Sequence, residues 1–123
     1  MRRVRLFAAA TVVIGVIAAG GAAMAGYGAV AYDEQARKQG AAWDEDTQQR
    51  ANETALKACG SEACKVRFPV PPKKCGALAS PDAGSAWGGS VRESLDAAKF
   101  AAMKNCQKHA KTKCTIREGK CNR

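Results

Sequence analysis

Six cysteines carry the most distinctive chemistry in this sequence: Cys59, Cys64, Cys75, Cys106, Cys114 and Cys121. Thiols bind zinc, do redox work or form structural disulfides. Zinc sites favour C-x2-C pairs or Cys/His sets at tight spacing. No spacing here is C-x2-C, and His109 is the only histidine. An even count with a counterpart for each cysteine also argues against a catalytic thiol. Structural disulfides remain, so neither a metal nor a cofactor is expected. Six cysteines allow about fifteen pairings, and spacing alone does not choose among them.

Other residues offer weaker chemistry. His109 would be the general base of its kind, but no GxSxG nucleophile motif accompanies it. Asp44, Glu45 and Asp46 form an acidic run. Two carboxylates can hydrolyse a glycoside, but acids at a helix start are also favoured by the helix dipole and by capping. Trp43 and Trp87 either stack on a sugar or peptide or fill the core, and core is the expectation. The cations Lys104, Lys108, Lys111, Lys113, Arg117, Lys120 and Arg123 crowd the last twenty residues, against Glu118 alone. An exposed cluster of this kind attracts phospholipid headgroups, lipopolysaccharide phosphates or acidic glycans. Nucleic acid is the weakest of these partners, because no aromatic residue between 104 and 123 offers a base a stacking platform.

The first 25 residues bear on where this chemistry operates. Arg2, Arg3 and Arg5 precede an apolar run from Leu6 to Ala25, broken only by Thr11 and ending in Ala23-Met24-Ala25. Basic start, apolar stretch and small-x-small exit read as a signal peptide, residues 1–25. An uncleaved anchor is the alternative. Either way the remainder, 26–123, is placed outside the cytoplasm, in the periplasm or secreted. There is no cysteine beside the exit for a lipid anchor, and the motif flanking a twin-arginine signal is absent.

The exported part is a single domain with a thin core. It holds ten Leu, Ile, Val or Phe residues and eighteen Ala. Such a composition with net charge tends to disorder. Disulfides formed after export are what small domains use to offset it.

An internal repeat, 27–75 and 76–121, organises this domain. Gly28-Ala29-Val30-Ala31 returns as Gly76-Ala77-Leu78-Ala79, and Ala42-Trp43 returns as Ala86-Trp87. Ala51, Ala55 and Cys59 return as Ala98, Ala102 and Cys106. Cys64-Lys65-Val66-Arg67 returns as Cys114-Thr115-Ile116-Arg117. Each half then closes with a third cysteine, Cys75 or Cys121.

Each half reads as a hairpin, a helix and a strand. Tyr27–Tyr32 pairs with Gly40–Trp43; Leu78-Ala79 pairs with Ser85–Trp87 around a Pro81-Asp82 turn. The first helix runs from Asp46 or Thr47 to Cys59. The second starts at a capping box, Ser90 with Glu93, and buries Val91, Leu95, Ala98, Ala102 and Cys106. Strands follow over Lys65–Val70 and from Cys114 to about Arg117. The fold class is therefore α+β: two β-β-α-β units, antiparallel strands packed against two helices. The repeat also narrows the sulfur pairing to Cys59–Cys64, Cys106–Cys114 and Cys75–Cys121, the last expected to tie the halves together.

The ordered set Tyr27 to Asp33, Ala42-Trp43, the helix ending in Cys59 and Cys75 to Ala79, followed by its repetition, resembles the bacterial domain-of-unknown-function family 4189. The resemblance covers about Tyr27 to Cys121. It implies small exported proteins and brings no established activity or catalytic residue. The chain departs from the pattern in its Pro69–Pro72 linker and in a shorter second hairpin.

Together these readings favour a non-enzymatic exported binding module with a basic C-terminal surface for an anionic envelope component or another protein, and without stable membrane insertion. An inhibitor or effector acting on another protein, or a small hydrolase using Asp44–Asp46, are the alternatives.

Overall fold

The structure, a computed structural model, describes residues 26–123; the signal-peptide reading lies outside the described residues. The chain runs β1 (Tyr27–Asp33), β2 (Lys38–Glu45), α1 (Gln48–Cys59), β3 (Lys65–Val70), β4 (Cys75–Pro81), β5 (Gly88–Arg92), α2 (Leu95–His109) and β6 (Cys114–Cys121). Two antiparallel three-stranded sheets result, ordered β2-β1-β3 and β5-β4-β6. Each is one β-β-α-β unit, as the repeat predicts.

Alternation along the central strands sorts the side chains into layers. Ala29 and Ala31 of β1 face Ala51, Ala55 and Cys59 of α1. Ala77 and Ala79 of β4 face Ala98, Ala102 and Cys106 of α2. The intervening residues Val30, Tyr32 and Leu78 point the other way and meet between the sheets with Val70, Trp43, Phe68, Trp87 and Val91. The order of layers is helix, sheet, sheet, helix. The small residues have a mechanical purpose: a Cβ on Gly40 would collide with the backbone of Ala55 and Cys59, and one on Gly88 with that of Ala102 and Cys106. Both tryptophans are partly buried in the inter-sheet cluster, the position the sequence favours for them.

Several boundaries differ from the sequence reading. Ser90 is not a helix cap. It lies in β5 opposite Ala77, while Val91 lies opposite Gly76. The strand ladder claims both residues, and Ser94 caps α2 instead, accepting from the Ala97 N–H at 3.2 Å. Thr47 does the same for α1 through Arg50 N–H at 3.1 Å. Ser85–Trp87 is not a strand; it belongs to the connection before β5. The β4–β5 ladder therefore stops two pairs short of the β1–β2 ladder, leaving six connecting residues against four. β6 also runs on past Arg117 to Cys121.

The sulfur pairing is Cys59–Cys64, Cys106–Cys114 and Cys75–Cys121. One expectation attached to it fails. Cys75 opens β4 rather than closing the first half, and it faces Cys121 across the same sheet. That bridge pins the second unit to itself, and Cys75 and Cys121 are partners rather than counterparts. No sulfur bond links the two units.

Candidate functional site

The two units superpose in register, and this exposes a duplicated feature. Ala31 pairs with Gly40 as Ala79 pairs with Gly88, an offset of 48. Both central strands shift register against their third strand at the same place, between Val30 and Ala31 and between Leu78 and Ala79. The bulged residue is Arg67 in β3 and Arg117 in β6. A bulge redirects a side chain without ending the strand, and here it aims an arginine back across the sheet.

In the first unit Arg67 Nε donates to the Tyr32 carbonyl at 3.2 Å, and its guanidinium lies 3.5 Å from Glu34. Trp87, arriving from the other unit, covers this pair. Its ring centroid lies 5.4 Å from the guanidinium carbon, and its Nε1–H donates to Glu34 at 2.9 Å. A cation over an indole contributes about 0.5–1 kcal/mol or more as water is excluded. In the second unit Arg117 donates from Nε to Ser80 Oγ and from NH2 to the Ser80 carbonyl, both at 3.2 Å, and from NH2 to Asp82 at 2.7 Å. No ring covers it. The residue at the offset position of Trp87 is Gln39, and a cavity of about 230 Å³ stands there, lined by Arg37, Gln39, Ser80, Pro81, Asp82 and Arg117 among others.

This geometry corrects the pairing of tryptophans. At the structural offset Trp43 matches Val91, and Trp87 matches Gln39. The 44-residue spacing that joined Ala42-Trp43 to Ala86-Trp87 is a match of letters only, because both strands of the hairpin keep the offset of 48. The arginine pair was visible in the Cys-x-x-Arg repeat, but nothing in spacing alone ties it to Glu34 or Asp82.

The remaining candidates are scattered. Asp44 sits at a bulge with φ 55° and accepts from the Arg123 N–H at 2.7 Å. Asp46 meets Arg50 at 3.5 Å on α1, and Glu45 ends β2 opposite Tyr27. The carboxylates of Asp44 and Asp46 thus have different partners, and Glu45 shares neither. The residue after β6, Asn122, is buried. Its amide bonds the Val70 carbonyl at 2.8 Å and the Pro71 carbonyl at 3.2 Å, and its Oδ1 accepts from Asp44 N–H at 2.9 Å. The C-terminal residues therefore grip the first unit.

Of the seven C-terminal cations, Arg117 is committed to Asp82 and Arg123 lies 3.6 Å from Asp44. Lys104, Lys108, Lys111, Lys113 and Lys120 are exposed, and none has an ion-pair partner among the described residues. Lys104 and Lys108 follow Phe100 at four-residue steps on α2, and Phe100 is 73% exposed. His109, also exposed, ends α2 and lines, with Lys111 and Thr112, an open cavity of about 440 Å³ against Ala83–Ala86. Among the described residues no cluster of His, Cys, Asp and Glu is set to hold a metal ion, and no helix is long and apolar enough to cross a membrane.

Two duplicated units, each a helix laid on a three-stranded sheet and closed by a disulfide at the helix end, define a small α+β domain. The chain belongs to the family described as Domain of unknown function (DUF4189), whose sequence model matches residues 27–121. No curated protein and no solved structure matches it.

Proposed function

We propose that the chain is an exported binding module that docks an anionic surface of the cell envelope through the outer face of α2 and the loop that follows. The observation that carries this is the run of unpaired, exposed Lys104, Lys108, Lys111 and Lys113 beside exposed Phe100. A solvated helix face needs no aromatic residue. An aromatic ring with ammonium groups one and two turns further along its helix suits a boundary between headgroups and acyl chains, although Asp96 stands one turn before it. Three disulfides fit a chain that folds in an oxidising compartment.

Each lysine at an anionic membrane surface contributes about 1 kcal/mol. Replacing Lys108, Lys111 and Lys113 with Gln is expected to weaken binding to phosphatidylglycerol vesicles by roughly 100-fold. Binding to wild type should weaken steeply with salt, and neutral phosphatidylcholine vesicles should not compete. Cosedimentation checks this, and an unchanged affinity in the triple variant would remove the reading.

A further inference from the structure

The two arginine half-sites share a backbone and differ in one component. In the first, the pair of Arg67 and Glu34 is completed by a ring that lies over the cation and donates an N–H to the acid. In the second, Arg117 and Asp82 form the same pair at 2.7 Å. Gln39 stands where the ring would be, and the space beside it is open. We propose that this second half-site is a receptor for an aromatic side chain carrying an N–H or O–H donor, a tryptophan or tyrosine displayed by a partner protein.

Three features support this occupant over a bound anion. The charge of Arg117 is already met by Asp82, as that of Arg67 is by Glu34, so an anion would have to displace a carboxylate. Asp82 is 90% exposed on its side chain, so its carboxylate is open to a donor arriving from solvent. The cavity, about 230 Å³, falls below the range of roughly 300–1,000 Å³ that holds a whole small ligand and suits one inserted side chain. Arg37, held at φ 53°, also lines the rim and has no ion-pair partner among the described residues, which makes sulfate the control ligand. A guanidinium face accepts an aromatic ring by stacking, which an ammonium does not reproduce.

The test is a heteronuclear NMR titration of the oxidised protein with N-acetyltryptophanamide, a tryptophan side chain between two peptide bonds. Saturable shifts are expected at Gln39, Ser80, Asp82 and Arg117, with a Kd of about 1 mM, the weak end for an isolated side chain. N-acetylphenylalaninamide, which lacks the side-chain donor, should bind several-fold more weakly. Gln39→Trp fills the site from within and should abolish the shifts. Arg117→Lys keeps the charge but not the plane, and should weaken binding at least tenfold. The lysine triple variant used for vesicle binding should bind the probe as wild type does, which separates this inference from the membrane-docking reading. Absence of saturable shifts at these residues would overturn the proposal. So would shifts that persist in Gln39→Trp, or a response to sulfate at the same residues with none to the indole.

Discussion

The two units of this domain solve the same mechanical problem with different parts. Each lays an alanine-lined helix against a sheet through one glycine, Gly40 or Gly88, where no side chain fits. Each closes its helix end with a short disulfide, of sequence separation 5 or 8. Beyond that they diverge. The second unit ties its central strand β4 to β6 with Cys75–Cys121. The first has no such bridge, and there Asn122 and Arg123 reach across from the end of β6 to hold Val70, Pro71 and Asp44. The first turn is fixed by Asp33, which accepts from Gln35 N–H, Ala36 N–H and Ser61 Oγ–H. At the offset position the second unit has Pro81, and its ladder ends two pairs sooner. The bonds from Ser61 and the turn amides hold the Asp33 carboxyl below its usual range. What is common to both halves is dictated by close approach of backbones. What differs is where one half was free to use a polar clasp, a ring or a sulfur bond.

That division predicts unequal responses to substitution. The largest should come from the long bridge. Removing Cys75 and Cys121 together releases a loop of 46 residues and should cost about 4 kcal/mol, whereas removing Cys59 and Cys64 should cost about 2 kcal/mol. Urea unfolding of the two double variants measures both, and equal losses would contradict a loop-length origin. Next is the occupied half-site. Trp87→Ala should cost about 3 kcal/mol through lost packing against Tyr32 and Arg67. Gln39→Ala at the matching position should stay within about 0.5 kcal/mol. Thermal melts would sharpen the comparison, and a Gln39 cost as large as that of Trp87 would erase it.

The smallest effect concerns charge. Glu118 stands opposite Leu78 in β6, and burial raises its carboxyl above the usual value. Ionising it is therefore harder in the folded state, so its contribution to stability falls as pH rises through and above the ordinary carboxylate range. Glu118→Gln should stabilise the protein at pH 7 and lose that advantage in acid. Asp33 acts in the opposite sense. Its lowered pKa adds stability that is present at neutral pH and disappears as pH falls through the lowered value. Melting temperatures of wild type and the Glu118 variant against pH check the sign.

Much of this architecture was legible in the residues because close packing leaves a strict pattern. The Ala-x-x-x-Ala helices, the glycine-alanine strands and the Cys-x-x-Arg turns recur in order, and they mark two β-β-α-β units. The failures arise where two local signals compete. Ser90 and Glu93 form a capping motif, but pairing with Ala77 took Ser90 into the strand and left the cap to Ser94. Ala86-Trp87 matches Ala42-Trp43 letter for letter, yet register with β4 is set by Gly88 against Ala79. Counting cysteines by halves misplaced Cys75, because the unit boundary falls in the turn before β4 rather than after a sulfur. The hydrogen bonds of the Asn122–Arg123 clasp and of the two arginine half-sites join residues 35 to 79 positions apart, a separation that no local pattern reports.

The central claim is that every sulfur bridge closes within one unit and that packing, Trp87 and the C-terminal residues hold the halves together. A tryptic map under non-reducing conditions tests it directly. Cleavage after Lys and Arg should yield residues 58–65 as one internally bridged peptide, 105–108 joined to 114–117, and 75–92 joined to 121–123. A species linking 58–65 to any of the others would contradict the account.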